Sequence, residues 1–178
     1  GGPPAHRAAL AASLELAETS ADATRRAQAQ TRLARYAGSL ADYRQQLEAA
    51  QVAIAAAGRA NASALEAEAL TFKVTALMRL GERGTLEQTV EQTLAQAQKT
   101  EDDTVQAYAT AAAALYYFEE GDLARAVQLL SQSLEAAKRA QVRHLDLESQ
   151  YYGHLGFTYA QLGLYLSLIH ISEPTRPY

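Results

Sequence analysis

The chain has no cysteine, only four prolines, ten glycines and one methionine in its 178 residues. Without cysteine it forms no disulfide and does no thiol chemistry, and that absence fits a reducing, cytoplasmic setting. The scarcity of proline and glycine leaves long stretches free of helix breakers. Long apolar runs are missing too: nothing approaches the roughly 18 consecutive apolar residues that a membrane span requires. No charged segment leads into an apolar stretch as in a signal peptide. Charge of one sign is not in excess, the net value being −4 with acids and bases interspersed. Neither a membrane nor a nucleic acid is therefore expected as a partner. Arg25, Arg26, Arg32, Arg35 and Arg44 cluster loosely and read as a solvated helix face.

What remains is a chain 48% apolar, much of it alanine, with leucine, glutamate, glutamine and arginine prominent. These residues lose little side-chain entropy in a helix, so the composition predicts an all-α fold. The first residues, Gly1 to Pro4, include no initiator methionine, and the single methionine is Met78. A fragment whose native sequence continues upstream is the expectation.

A displacement of 40 residues superimposes the chain on itself. Leu14, Ile54, Leu94 and Leu134 form one column, and Ser13, Ala53, Thr93 and Ser133 a second, all small. Ala17, Ala57, Ala97 and Ala137 make a third, and Leu10, Ala50, Val90 and Leu130 a fourth. The columns are 3, 1 and 3 residues apart, so they share one helix face. Turns at Ala41, Gly81 and Gly121 keep the same step, and the next arrives late, at Leu162-Gly163. The periodicity predicts helices over 5–18, 23–38, 42–58, 64–80, 84–99, 103–119, 123–139 and 145–162. Ser63-Ala-Leu-Glu66 has capping-box spacing, Glu101 to Asp103 favour a helix N-terminus, and Gly58 and Gly121 suit helix ends.

In the fourth unit Tyr152-Gly-His-Leu155-Gly156-Phe-Thr-Tyr159 follows the pattern W-x2-L-G-x2-Y with tyrosine in place of tryptophan. Leu162-Gly163-Leu164-Tyr165 comes close to a Leu-Gly-Asp-Tyr turn, Gly121-Asp122-Leu123 supplies that turn earlier, and Ala126-x3-Leu130 matches A-x3-F. On these residues the chain resembles a tetratricopeptide repeat array over residues 5–165. The resemblance implies an all-α, right-handed superhelical solenoid of antiparallel helix pairs, about eight helices in all. The period departs from the family's 34 residues, and no proline closes the second helices. Longer units of this kind resemble the arrays attached to bacterial signal-transduction ATPases, transcriptional activators and nucleotide cyclases.

After Tyr165 the character changes. Leu166 to Arg176 read Leu-Ser-Leu-Ile-His-Ile-Ser-Glu-Pro-Thr-Arg, which resembles a translated sequencing-library adapter. Residues 166–178 are expected to be a non-native tail, leaving 1–165 as the repeat domain.

Catalytic signatures are not found. His144 and His154 lie ten residues apart, unlike a metalloprotease pair. No phosphate loop, nucleophile elbow or triad spacing occurs. Glu119 and Glu120 are adjacent carboxylates beside Gly121, expected to be solvated rather than an acid–base pair. Neither enzymatic activity nor a metal or cofactor is expected. In the family that the chain resembles, the first helices of each pair line a concave groove. Matching register implies Thr71, Thr75, Met78, Tyr108, Leu115, Phe118, Phe157 and Gln161 as groove residues here. The family's Lys/Asn clamp for a peptide carboxylate falls on Thr71 and Thr75, Ala111 and Leu115, and Gly153 and Phe157, so that clamp is absent. The expected function is a protein-interaction scaffold within a larger bacterial signalling protein, taking a peptide, a helix or another domain of its own chain. The alternative is an effector-sensing module that gates an attached ATPase, cyclase or DNA-binding domain.

Overall fold

Most interruptions of the helical pattern are closed alike. An amide just past the helix end bonds a carbonyl five residues back, as Asp42 N to Ala37 O at 3.0 Å, Ala62 N to Ala57 O at 3.0 Å, Glu82 N to Leu77 O at 3.0 Å and Asp122 N to Tyr117 O at 2.9 Å. The closure needs a left-handed residue just before that amide. Ala41 (φ 58°), Asn61 (φ 51°), Gly81 (φ 70°) and Gly121 (φ 83°) supply it, and Gln141 (φ 52°) adopts the same conformation. These residues recur on a 20-residue spacing, with only position 101 omitted. The next helix usually starts on aspartate: Asp42 accepts from Gln45 N at 3.1 Å, Asp122 from Arg125 N at 3.1 Å, and Asp102 from Thr104 N at 2.9 Å and Val105 N at 3.2 Å. Asp22 caps in the same way as Asp102. Each oxygen satisfies amides that have no partner inside the helix.

The computed structural model describes residues 22–141, together with Glu15 and Gly156. Between the turns run six helices: α1 Ala23–Ser39, α2 Tyr43–Arg59, α3 Ser63–Leu80, α4 Leu86–Ala97, α5 Asp103–Glu119 and α6 Leu123–Arg139. Their limits agree with the expected ones to within two residues. The expected helices over 5–18 and 145–162, and the tail from 166, lie outside the described residues. Every helix packs on the next, and α3 also packs on both α1 and α5. Consecutive pairing plus this second-neighbour stacking makes an all-α stack of hairpins, the arrangement of a helical solenoid.

The stacking is selected by small side chains. On the first helices, Ala27, Ala67 and Ala107 are all fully buried at a stride of 40, and Ala29, Ala69 and Ala109 are buried beside them. On the second helices the small column Ala53, Thr93 and Ser133 is buried as well. The approach is close enough for Ser133 Oγ to donate to the backbone carbonyl of Ala107 at 2.6 Å. The larger column members Ile54, Leu94 and Leu134 are half-buried around these contacts. Between α3 and α6 the core gains bulk from Val74, Leu77, Leu86, Val90, Leu129 and Leu130, each worth about 1.5–3 kcal/mol on burial. Buried threonines pair with their own helices: Thr31 with Ala27 O, Thr71 with Ala67 O and Thr93 with Thr89 O, at 2.8, 2.9 and 2.7 Å.

Two expectations at helix ends are corrected. Ser63 does not cap α3, because the turn closure at Ala62 places the helix start one residue earlier, and Ala62 offers no side-chain acceptor. Glu66 instead accepts from Gln96 Nε2 on α4 at 3.0 Å. Gly58 lies inside α2, and the left-handed role falls to Asn61, a residue that tolerates that conformation better than most.

Two substitutions test this account by urea denaturation. Ala41→Gly removes the left-handed penalty on a Cβ-bearing residue and is expected to stabilise by about 1 kcal/mol. Ala107→Leu forces a large side chain into the helix contact and should destabilise by about 1–3 kcal/mol. An unchanged midpoint for Ala107→Leu would show that the alanine column does not set the spacing.

Candidate functional site: a cleft between the first helices

The first helices α1, α3 and α5 form one layer, and their outward residues repeat with the 40-residue stride. Arg32, Phe72 and Ala112 form one column, Arg35, Thr75 and Leu115 another, and Gly38, Met78 and Phe118 a third. Near the C-terminal ends of α3 and α5 these columns enclose a cleft of about 400 Å³ lined by Thr75, Met78, Arg79, Ala112, Leu115, Phe118 and Glu119. Four of the expected groove residues, Thr75, Met78, Leu115 and Phe118, are thereby brought together. Tyr108 is 38% exposed, one helical turn before Ala112 on the same face. Thr71 is buried with its hydroxyl turned back to Ala67 O, and so does not reach the lining. Phe157 and Gln161 lie outside the described residues. Arg79, Ala112 and Glu119 were not among the expected groove residues.

Side chains behind and beside the cleft hold it in place. Of the three consecutive aromatics, Tyr116 and Tyr117 are buried and touch edge to face with ring centroids 5.0 Å apart. Phe118 turns to the cleft. The Tyr117 hydroxyl donates to the Glu91 carboxylate, and Arg125 bonds the same carboxylate at 2.8 Å. The Arg125 guanidinium also stands 4.0 Å from the centroid of the Tyr117 ring, a cation–π contact. One carboxylate thus ties α4, α5 and α6 together. Burial of the Tyr117 phenol, then its bond to Glu91, holds its pKa well above the ordinary 10.0, against an opposing pull from Arg125.

The adjacent carboxylates Glu119 and Glu120 are exposed, as expected, and both are also paired. Arg83, in the loop before α4, forks to Glu120 at 2.7 Å and Glu119 at 3.0 Å. Of the arginine cluster, Arg25, Arg32, Arg35 and Arg44 are exposed as expected, while Arg35 also bonds Glu68 of α3 and stands over Phe72, and Arg44 bonds Glu82 at 3.0 Å. These pairs are exposed, so each adds little stability but fixes one hairpin's register on the next.

On the other side of the layer, α4 and α6 diverge around a wedge of about 510 Å³, whose lining includes Gln98, Gln106, Gln128, Gln132, Arg125 and Arg139. Arg139 there is paired with Asp103 at 2.7 Å. Among the described residues no group of three or more His, Asp or Glu side chains is placed to hold a metal ion. No helix among them is long and apolar enough to cross a membrane. No protein-family model matches the chain, and no curated protein matches it.

The raised Tyr117 pKa has a sign that can be measured. Its stabilising contribution is complete below pH 10, where the phenol is protonated folded or unfolded, and is lost as pH climbs from there through the folded value. The melting temperature should therefore fall above pH 10, and Tyr117→Phe should lose less between pH 10 and 11 than the parent. Parallel declines in thermal melts followed by circular dichroism would refute the coupling.

Proposed function

We propose that this chain is a protein-interaction module of the tetratricopeptide type, a right-handed array whose first helices present a groove to a peptide or helix of a partner or of its own parent chain. The reading carries with it the expectation of about eight helices and of a larger, bacterial signalling protein around the array. Its main support is that Thr75, Met78, Leu115 and Phe118, chosen by register from the repeat pattern, meet in one cleft between α3 and α5. A cleft walled by methionine, leucine and phenylalanine and bordered by Arg79 and Glu119 suits apolar anchors of a helix or extended segment. The residues of the carboxylate clamp are lacking, which favours internal segments over chain termini. The interaction reading carries with it the expectation, from the sequence motifs, that the chain is not an enzyme.

The effector-sensing alternative draws on the wedge between α4 and α6, whose volume falls within the range of small-molecule sites. Eight of its twelve lining residues are polar or charged, four of them glutamines, and its two arginines are engaged by Glu91 and Asp103. Small-molecule pockets are predominantly apolar with few convergent polar groups, so the interaction reading is preferred.

The test uses peptides selected on the full chain from a displayed library of random dodecamers, with affinities measured by fluorescence anisotropy. Leu115→Glu should weaken the selected peptides by about tenfold or more, as expected for a charge placed at a buried anchor contact. Gln132→Glu, on the outer helix α6, should change them by less than about twofold. Equal affinity for the parent and Leu115→Glu would remove the groove from consideration.

A further inference from the structure

The charges on the inner layer are not balanced by its own partners. On its outward face the acids are engaged, Glu68 by Arg35 and Glu119 by an Arg83 that it shares with Glu120. Two of that face's cations are not. Arg32 and Arg79 are exposed and make no ion pair among the described residues. Arg79 lines the cleft itself, beside Met78. Arg32 stands in the column of Phe72 and Ala112, on the same face and two helices away from α5. One Arg83 faces two carboxylates, Glu119 and Glu120, so the two uncompensated arginines exceed the remaining negative charge and the face is locally positive on a chain of net charge −4. Toward the third hairpin the same face turns apolar, with Leu115, Phe118 and Ala112.

From this charge complementarity, and resting on the interaction reading, we infer that the groove takes an acidic segment with an apolar anchor. The anchor enters between Met78, Leu115 and Phe118 while an adjoining Asp or Glu meets Arg79, and a second acid meets Arg32. Adjacent helices lie about 8–10 Å apart, and Arg32 is roughly one turn from the level of the cleft centre along the axis. The span from Arg32 to the anchor is therefore on the order of 15 Å, or about four to five residues of extended chain. The charges set orientation and selectivity, and the apolar contact supplies most of the affinity.

The experiment sequences the dodecamers selected on the full chain and then synthesises the most enriched peptide, with versions in which its acids are changed to lysine. Enriched sequences should carry Asp or Glu next to Leu, Phe or Met, with a second acid four or five positions away. Arg79→Glu should weaken the acidic peptide by about tenfold, the lysine peptide should regain affinity on Arg79→Glu, and Arg32→Glu should act in the same direction. Because both arginines are exposed and make no ion pair among the described residues, these variants should keep the parent's circular dichroism and melting temperature. Peptides without acids, or an Arg79→Glu affinity within about twofold of the parent, would overturn the inference. If those peptides still lose affinity on Leu115→Glu, the groove reading stands and only the acidic specificity falls. If Leu115→Glu also leaves binding unchanged, both fall.

Discussion

The close contact of α3 with α1 and α5 depends on the absence of side-chain bulk at one set of positions. Ala27, Ala67 and Ala107, with Ala29, Ala69 and Ala109 beside them, leave room for backbone to approach backbone. Once α1, α3 and α5 touch, their second helices are carried to the other side, and α4 and α6 diverge around the wedge. The cleft between α3 and α5 and the outer wedge are two results of one choice of spacing. Larger residues at these six positions would push the layer apart and leave no wall for the cleft. The polar residues inside the stack respect that economy, since the buried threonines bond carbonyls of their own helices instead of demanding partners across it.

Position within the repeat decides what each residue does. Leu86 is nearly fully buried in the hairpin of α3 and α4, while the same column holds Gln46 one unit earlier and Ala126 one unit later. Gln46 is buried with its amide oxygen unpartnered, and a Cβ on Gly38 would stand 2.6 Å from its amide nitrogen. The first hairpin thus solves with a glycine and a glutamine what the later ones solve with Met78 or Phe118 and an aliphatic or small residue. Ion pairs run between hairpins at comparable separations in the chain, from Arg44 to Glu82 and from Arg83 to Glu120. They add little energy in solvent, but they discourage one unit from sliding past the next.

Much of this was legible from the residues. The 40-residue stride placed Ala53, Thr93 and Ser133 in a buried column and gave six helix positions, because apolar periodicity and helix geometry are tied directly. The turns at 41, 81 and 121 were legible for the same reason. Ser63 and Glu66 had the right spacing for a cap, but the start of α3 is decided by the left-handed Asn61 upstream, which carries no repeat signature. In the cleft, Met78, Leu115 and Phe118 followed from register with the repeat family that the chain resembles. Arg79 and Glu119 did not, since they share one column with Ser39 and have opposite charges, leaving no property for a pattern to detect. Thr71, expected in the groove by register, is instead buried, its hydroxyl having found a nearer acceptor in its own helix.

The layer built of α1, α3 and α5 is continuous, and the layer opposite is gapped between α4 and α6, where Arg125 reaching Glu91 is a bridge. A bent beam whose material lies near one surface has its neutral axis near that surface. Any bend of such a stack would therefore be taken up at the outer gap more than at the inner layer, where α3 packs on both α1 and α5.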